Sequence, residues 1–341
     1  MAYFSTNIQE FKAVNTKHEW QKSLSNLITD PQELLKILEL EPALLPKAKL
    51  AAKQFPLIVP RTFVDRMEKG NPNDPLLRQI LPLDMELHEH ADFSTDPLQE
   101  LNVNPLPGLL HKYHGRVLIT LTSACAVHCR YCFRRNFPYE ENNPGKQGWS
   151  VWFDYIKHNH DISEVILSGG DPLLMNDKSL RLFTDELAQI SHVKRLRLHT
   201  RVPVVLPERV TDEFLTWLNQ LTFATVIVIH MNHPREMSDA VKSALLKLKQ
   251  KKITLLNQTV LLKGVNDRAD ILCELSETLF AAGVLPYYLH VLDKVKGTAH
   301  FDLPDATAIT LHAEMINALP GYLVPKLVRE EAGKAAKTLL S

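Results

Sequence analysis

From residue 116 onward, runs of apolar and β-branched residues alternate with stretches in which apolar residues return at helical spacing. The runs are RVLITLT (116–122), EVILSGG (164–170), RLRLHT (195–200), TVIVIHM (225–231), ITLLNQTV (253–260) and LPYYLHVL (285–292). The last five begin roughly thirty residues apart, the repeat expected of successive β/α units on a parallel sheet. Six such units are too few to close an eight-stranded barrel, so the pattern predicts an α/β fold, a partial (β/α)6 barrel open on one side, with a doubly wound open sheet as the alternative.

Upstream the periodicity changes. KHEWQKSLSNLI, DPQELLKILEL and PRTFVDRMEKG read as short helices, the second opened by Asp30 and Pro31 and the third closed by Gly70. Pro and acidic residues then punctuate 83 to 108, which reads as an irregular connector. The expected organisation is a helical N-terminal extension with its connector over 1–100, the barrel over 101–322 and a C-terminal segment over 323–341.

In β/α barrels the chemistry gathers at the C-terminal strand ends. Each run here leads into polar residues at that end. A cysteine loop follows the first, Ser168-Gly169-Gly170-Asp171 the second, and His199 with Arg201 the third. His230, Asn232 and His233 follow the fourth, Asn257 and Gln258 the fifth, His290 and Asp293 the sixth. Any one of these alone reads as a satisfied core histidine or a helix cap; agreement across all the ends points to a site. The loop SGGDP has its own mechanics, because paired glycines let the backbone turn sharply and approach a ligand's amino or carboxylate group. Its plain alternative is a β-to-α turn with Asp171 and Pro172 opening a helix.

The run TSACAVHCRYCFRR carries Cys125, Cys129 and Cys132. Three thiolates in so short a loop suit an iron–sulfur cluster, and three protein ligands on a four-iron cube leave one iron open. Zinc is the competitor, with His111 or His128 as a fourth ligand, but the second ligand pair of a closed zinc site is absent from the sequence. A disulfide fits less well with an odd third cysteine and the polar opening MAYFSTNIQEF, which has no apolar signal core. Cys273 falls in an amphipathic helical stretch and reads as a packing residue. With 341 residues, 45% hydrophobic content and 39 basic residues against 39 acidic, the chain has no electrostatic lean toward nucleic acid or membrane, and a cytoplasmic location is expected.

The C-x3-C-x2-C loop after the first strand and the Gly-Gly-acidic loop after the second, on a partial β/α barrel, resemble the radical S-adenosylmethionine enzymes. Within them, PGLLHKYHGRVLITLTSACAVHCRYCFRRNF, LSGGDPLL, IHMNHPRE and LLNQTVLLKGVND resemble the lysine 2,3-aminomutase family, in the short bacterial form whose (R)-β-lysine is attached to elongation factor P. The resemblance runs from about residue 55 to the C-terminus.

The resemblance implies an isomerase that converts L-α-lysine to (R)-β-lysine with a [4Fe-4S] cluster, S-adenosylmethionine and pyridoxal phosphate. Cys125, Cys129 and Cys132 would hold the cluster. Ser168, Gly169, Gly170 and Asp171 would lie along the methionine moiety of adenosylmethionine, with His230 and Gln258 near its adenosyl end. Reductive cleavage of the S–C5′ bond would give the radical that takes hydrogen from the lysine β-carbon, while pyridoxal phosphate accommodates the unpaired electron. Lys112, Tyr113 and Arg116 would hold its phosphate. Lys337 would anchor it covalently, because it keeps a following Thr338 and the spacing from Pro325, with Lys334 after Gly333 as the rival; most glycines of the family's run are missing here. Arg134 would take the substrate carboxylate, and Asp293 and Glu330 its ε-ammonium, Glu330 standing where the family typically has Asp.

The implied partners are L-lysine, the ligase that lysylates elongation factor P, and an electron donor such as flavodoxin or ferredoxin. With no cysteine after Cys273, zinc is not expected. Two other readings stay open at this point, a radical aminomutase for a different amino acid and a non-catalytic iron–sulfur or zinc protein.

Overall fold

The computed structural model describes residues 18–251 and 253–340; the polar opening stretch and the first residue of the first expected helix lie outside them. Among the described residues nine strands form one sheet in sequence order: β1 (Leu109–Tyr113), β2 (Arg116–Thr122), β3 (Glu164–Gly169), β4 (Arg195–Thr200), β5 (Ala224–His230), β6 (Ile253–Val260), β7 (Leu285–His290), β8 (Lys326–Arg329) and β9 (Thr338–Leu339). β2 through β8 run parallel, while β1 and β9 pair antiparallel at the two edges. A helix follows each of β2 to β7, which gives the six expected β/α units, and β8 adds a seventh parallel strand after the last helix, Asp305–Ala318.

Side chains alternate across the strands and so sort into two surfaces. Ile119, Leu167, Leu198, Ile227 and Leu255 are neighbours in register and at most 2% exposed, facing the helix layer. Burying each contributes about 1.5–3 kcal/mol. Leu118, Ile166, Arg197, Val226, Leu256, Tyr288 and Val328, one from each parallel strand, face a single cavity of ≈ 790 Å³. Only a sheet curled on itself brings seven strands to one cavity, and its two edges, β1 and β9, remain unpaired with each other. The architecture is the open β/α barrel.

The N-terminal helices Glu19–Ser25 and Pro31–Ile37 form as expected, the second capped by the Asp30 side chain accepting from the Gln32 N–H. Trp20, Leu34, Leu57, Phe63 and Leu76 join the same hydrophobic core as the barrel's helix-facing residues. The extension is therefore packed on the barrel, and the connector after it carries two short 3-10 turns, Asp84–Leu87 and Glu100–Val103.

Candidate active site

The cysteine loop leaves β2 and is gripped from the N-terminal side. The His128 N–H donates to the Ile58 carbonyl at 2.9 Å and the Arg130 N–H to the Gln79 carbonyl at 2.9 Å. The Arg130 guanidinium forks onto Glu86, Nε at 2.8 Å and Nη2 at 2.5 Å, and Arg135 Nη2 reaches the same carboxylate at 2.7 Å. The Phe55 ring lies 4.7 Å from both guanidinium groups, so the knot is closed to water. Cys125, Cys129 and Cys132 are free, half-buried and open onto the cavity. Burial pushes the Cys125 thiol up and the Cys132 thiol up to about 11, the neighbouring sulfurs adding to both. Uncompensated thiolates there would be costly, which suits a donor set whose protons are released when the sulfurs bind iron. His111 and His128 turn to other partners, His111 Nδ1 to the Tyr155 hydroxyl and His128 Nδ1 to the Pro56 carbonyl, each at 2.9 Å. Three free thiols on one cavity wall fit a cubane cluster.

The glycine loop lies directly against the start of the cysteine loop. Gly170 N–H donates to the Thr122 carbonyl at 2.9 Å and Asp171 N–H to the Ala124 carbonyl at 2.8 Å. A Cβ at Gly170 would sit 2.4 Å from the Ala124 oxygen, and Gly169 has φ +104, so neither position tolerates a side chain. Both glycines and Ser168 line the cavity. The Asp171 carboxylate is consumed by the β4 end, accepting from Thr200 Oγ1 at 2.7 Å and from the N–H groups of Arg201, Val202 and Leu173 at 2.7, 3.1 and 3.1 Å. Its side chain thus fixes the loop that carries Arg201.

His230 and Gln258 are register neighbours on β5 and β6, and the Gln258 amide donates to His230 Nε2 at 2.8 Å. Burial lowers His230 to about 3, so the ring is neutral. His199 on β4 and His290 on β7 also line the cavity, and each has a buried Nε2 with no partner among the described residues. Burial holds His199 well below the ordinary imidazole range and His290 at about 3.

At the far side the β8–β9 hairpin sets Arg329 opposite Thr338, which carries Lys337 across from Glu330. Lys337 Nζ pairs with Glu330 Oε2. Lys112 Nζ donates to Glu330 Oε1 at 2.8 Å and the Tyr113 hydroxyl to the same oxygen at 3.1 Å. Burial alone would raise the Glu330 carboxyl; Lys337 and Lys112 overcome it and hold that group well below the usual carboxylate range. Arg116 stacks over the Tyr113 ring at 4.5 Å. Lys337 lines the cavity and lies 5.8 Å from the Tyr288 ring centroid, whereas Lys334 is exposed in the hairpin turn. Asp293 is pushed up to about 7, first by burial and then by the Glu330 charge.

Arg134 has a partner that sequence reasoning did not anticipate. Glu100 of the connector takes its Nε at 2.7 Å and its Nη2 at 2.6 Å, and Ser168 Oγ takes Nη1 at 3.2 Å. One N–H on each terminal nitrogen is left, among the described residues, for a further acceptor. Glu100 lies 34 positions from Arg134 in a stretch without periodicity, so no local signal could have paired them.

Residues 114–201, which hold the cysteine loop, the glycine loop and Arg201, match a family model described as a 4Fe-4S single cluster domain. Together with the full-length relatives that follow, this match sets the chain among the radical S-adenosylmethionine enzymes, with a [4Fe-4S] cluster and S-adenosylmethionine as cofactors. An L-lysine 2,3-aminomutase from Haemophilus influenzae is 49% identical over 326 residues, 96% of either chain. One from Escherichia coli is 47% identical over 327 residues, 95% of either chain, and one from Clostridium subterminale is 32% identical over 322 residues, 94% of this chain and 77% of its own. The chain belongs to the L-lysine 2,3-aminomutase family and is an isomerase of that type.

Proposed function

We propose that this enzyme moves the amino group of L-α-lysine from C2 to C3 to give (R)-β-lysine, with pyridoxal phosphate as its third cofactor. One observation carries the reading: Arg134, Asp293, Glu330 and Lys337 open onto the same ≈ 790 Å³ cavity as Cys125, Cys129 and Cys132. When bound, the cluster and adenosylmethionine would supply hydrogen-abstracting radical chemistry, and pyridoxal phosphate would supply delocalisation of the unpaired electron.

The protein's part is to hold and align. Cys125, Cys129 and Cys132 would hold the cluster; Ser168, Gly169, Gly170 and Asp171 would shape the wall for the methionine moiety, and His230 with Gln258 the adenosyl end. A neutral imidazole at 230 can accept or donate a hydrogen bond without adding charge beside a sulfonium. Lys337 rather than Lys334 anchors pyridoxal phosphate, since it alone of the two reaches the cavity. Lys112, Tyr113 and Arg116 would hold its phosphate. Glu330, which pairs with Lys337 and Lys112, would join Asp293 on the substrate's ε-ammonium. The two remaining Arg134 N–H groups take the substrate carboxylate.

The product is proposed to pass to the cytoplasmic ligase that β-lysylates elongation factor P, with reduced flavodoxin or ferredoxin as electron donor. Among the described residues no helix is long and apolar enough to cross a membrane. The test is anaerobic incubation of the iron-loaded protein with L-lysine, adenosylmethionine and dithionite, followed by chromatography. β-Lysine is expected, and its absence with a fully loaded cluster and bound pyridoxal phosphate would overturn the reading. Borohydride reduction and peptide mapping should find the pyridoxyl group on Lys337.

A further inference from the structure

Arg201 stands at the C-terminal end of β4, 4% exposed, against the cysteine loop. Its Nη1 donates to Cys129 Sγ at 2.7 Å. Its Nη2 donates to Gln79 Oε1 at 2.6 Å and Glu236 Oε2 at 3.0 Å, and its backbone N–H to Asp171 Oδ2 at 2.7 Å. Glu236 is fixed in turn, Oε1 accepting from the N–H groups of Asn232 and His233 at 2.9 and 3.1 Å and from Gln79 Nε2 at 3.1 Å. The rings of Phe63 and Tyr131 flank the guanidinium at 5.5 and 5.7 Å. These contacts hold the guanidinium in place against Cys129.

The direction of its field follows from that geometry. The carboxylate of Glu236 neutralises the pair, but it binds through Nη2, while Nη1 touches sulfur. The pair therefore presents its positive end to Cys129. Reduction of an iron–sulfur cluster adds one negative charge, part of which resides on the ligand sulfurs, and both a nearby cation and an N–H···S bond favour the reduced form.

We propose that Arg201 is a positioning residue that raises the reduction potential of the cluster through Cys129, making the first electron easier to deliver. The inference rests on Cys129 being a cluster ligand. It also gives a role to Asp171 and Gln79, which hold the Arg201 backbone and side chain and so connect the glycine loop and the N-terminal extension to the electron-transfer step.

The experiment compares the parent protein, Arg201→Lys, Arg201→Gln and the double variant Arg201→Gln/Glu236→Gln, all iron-loaded anaerobically. The double variant leaves no unpaired buried carboxylate. Iron and sulfide content is measured first, then the midpoint potential by redox titration followed by electron paramagnetic resonance, without adenosylmethionine. Arg201→Gln and the double variant should shift to more negative potential with iron content retained, and Arg201→Lys should recover part of the shift. An unchanged potential in an iron-replete double variant overturns the proposal. So does loss of iron from a double variant that remains folded by circular dichroism, since Arg201 would then only hold the loop. A Cys129→Ala protein that keeps its full cluster would instead overturn the ligand reading on which the inference stands.

Discussion

Glu86 is the residue whose loss the structure prices most sharply. It is 1% exposed at the side chain and serves two guanidinium groups, Arg130 at 0% and Arg135 at 4% exposure. Glu86→Gln preserves shape but leaves two buried cations sharing one neutral amide. Breaking a buried pair by removing one partner costs about 3–5 kcal/mol, and a carboxylate that serves two cations belongs at the upper end, about 5 kcal/mol. That approaches the whole stability of many domains, about 5–15 kcal/mol. With a urea slope of about 3 kcal/mol/M, the unfolding midpoint should fall by about 1.7 M. Because Arg130 and Arg135 bracket Cys132, iron uptake should fall as well. The control is Glu213→Gln on the exposed start of a helix, expected within about 0.5 kcal/mol. A Glu86→Gln midpoint within about 0.2 M of the parent would refute the reasoning, since the knot would then contribute no more than a surface pair.

Three further outcomes follow from the site. Alanine at Cys125, Cys129 or Cys132 should abolish iron binding, while Cys273→Ala, which removes a side chain packed between helices, should leave iron content unchanged; iron analysis after anaerobic loading checks both. Asp293 titrates near 7 in the folded protein against about 3.9 unfolded, so the native state holds a proton the unfolded chain has lost and stability falls as pH rises through that window. Asp293→Asn should therefore stabilise the cofactor-free protein by an amount that grows from pH 4.5 to 7.5 and then levels off in thermal unfolding, and a pH-independent difference would contradict it. Gly170→Ala drives a methyl group to 2.4 Å from the Ala124 oxygen, a clash worth about 1–3 kcal/mol, and should reduce iron loading, whereas Gly321→Ala, with nothing within 4 Å, should not.

The six central strands were legible because a strand between two neighbours, covered by helices, must be apolar on its helix face, and that leaves a continuous imprint in the sequence. β8 spans only Lys326–Arg329 and β9 only Thr338–Leu339, too short for any period to emerge, and β1 is broken by a register shift between Leu110 and Tyr113. Residues 83–108 read as a mere connector for the same reason. In the folded chain they supply Glu86 and Glu100, the buried counter-charges for Arg130, Arg135 and Arg134.

The sequence by itself determined the barrel's repeat, the thiol loop, the glycine loop and the polar strand ends, since each is written in neighbouring residues with local spacing. Only the tertiary structure decided who faces whom. That Lys337 reaches the cavity and Lys334 does not depends on the β8–β9 hairpin, and that Arg201 meets Cys129, 72 positions away, depends on the ends of β2 and β4 lying close together. Charge pairing at such distances follows from how the sheet curls, and curvature is a property of all seven parallel strands together rather than of any one segment.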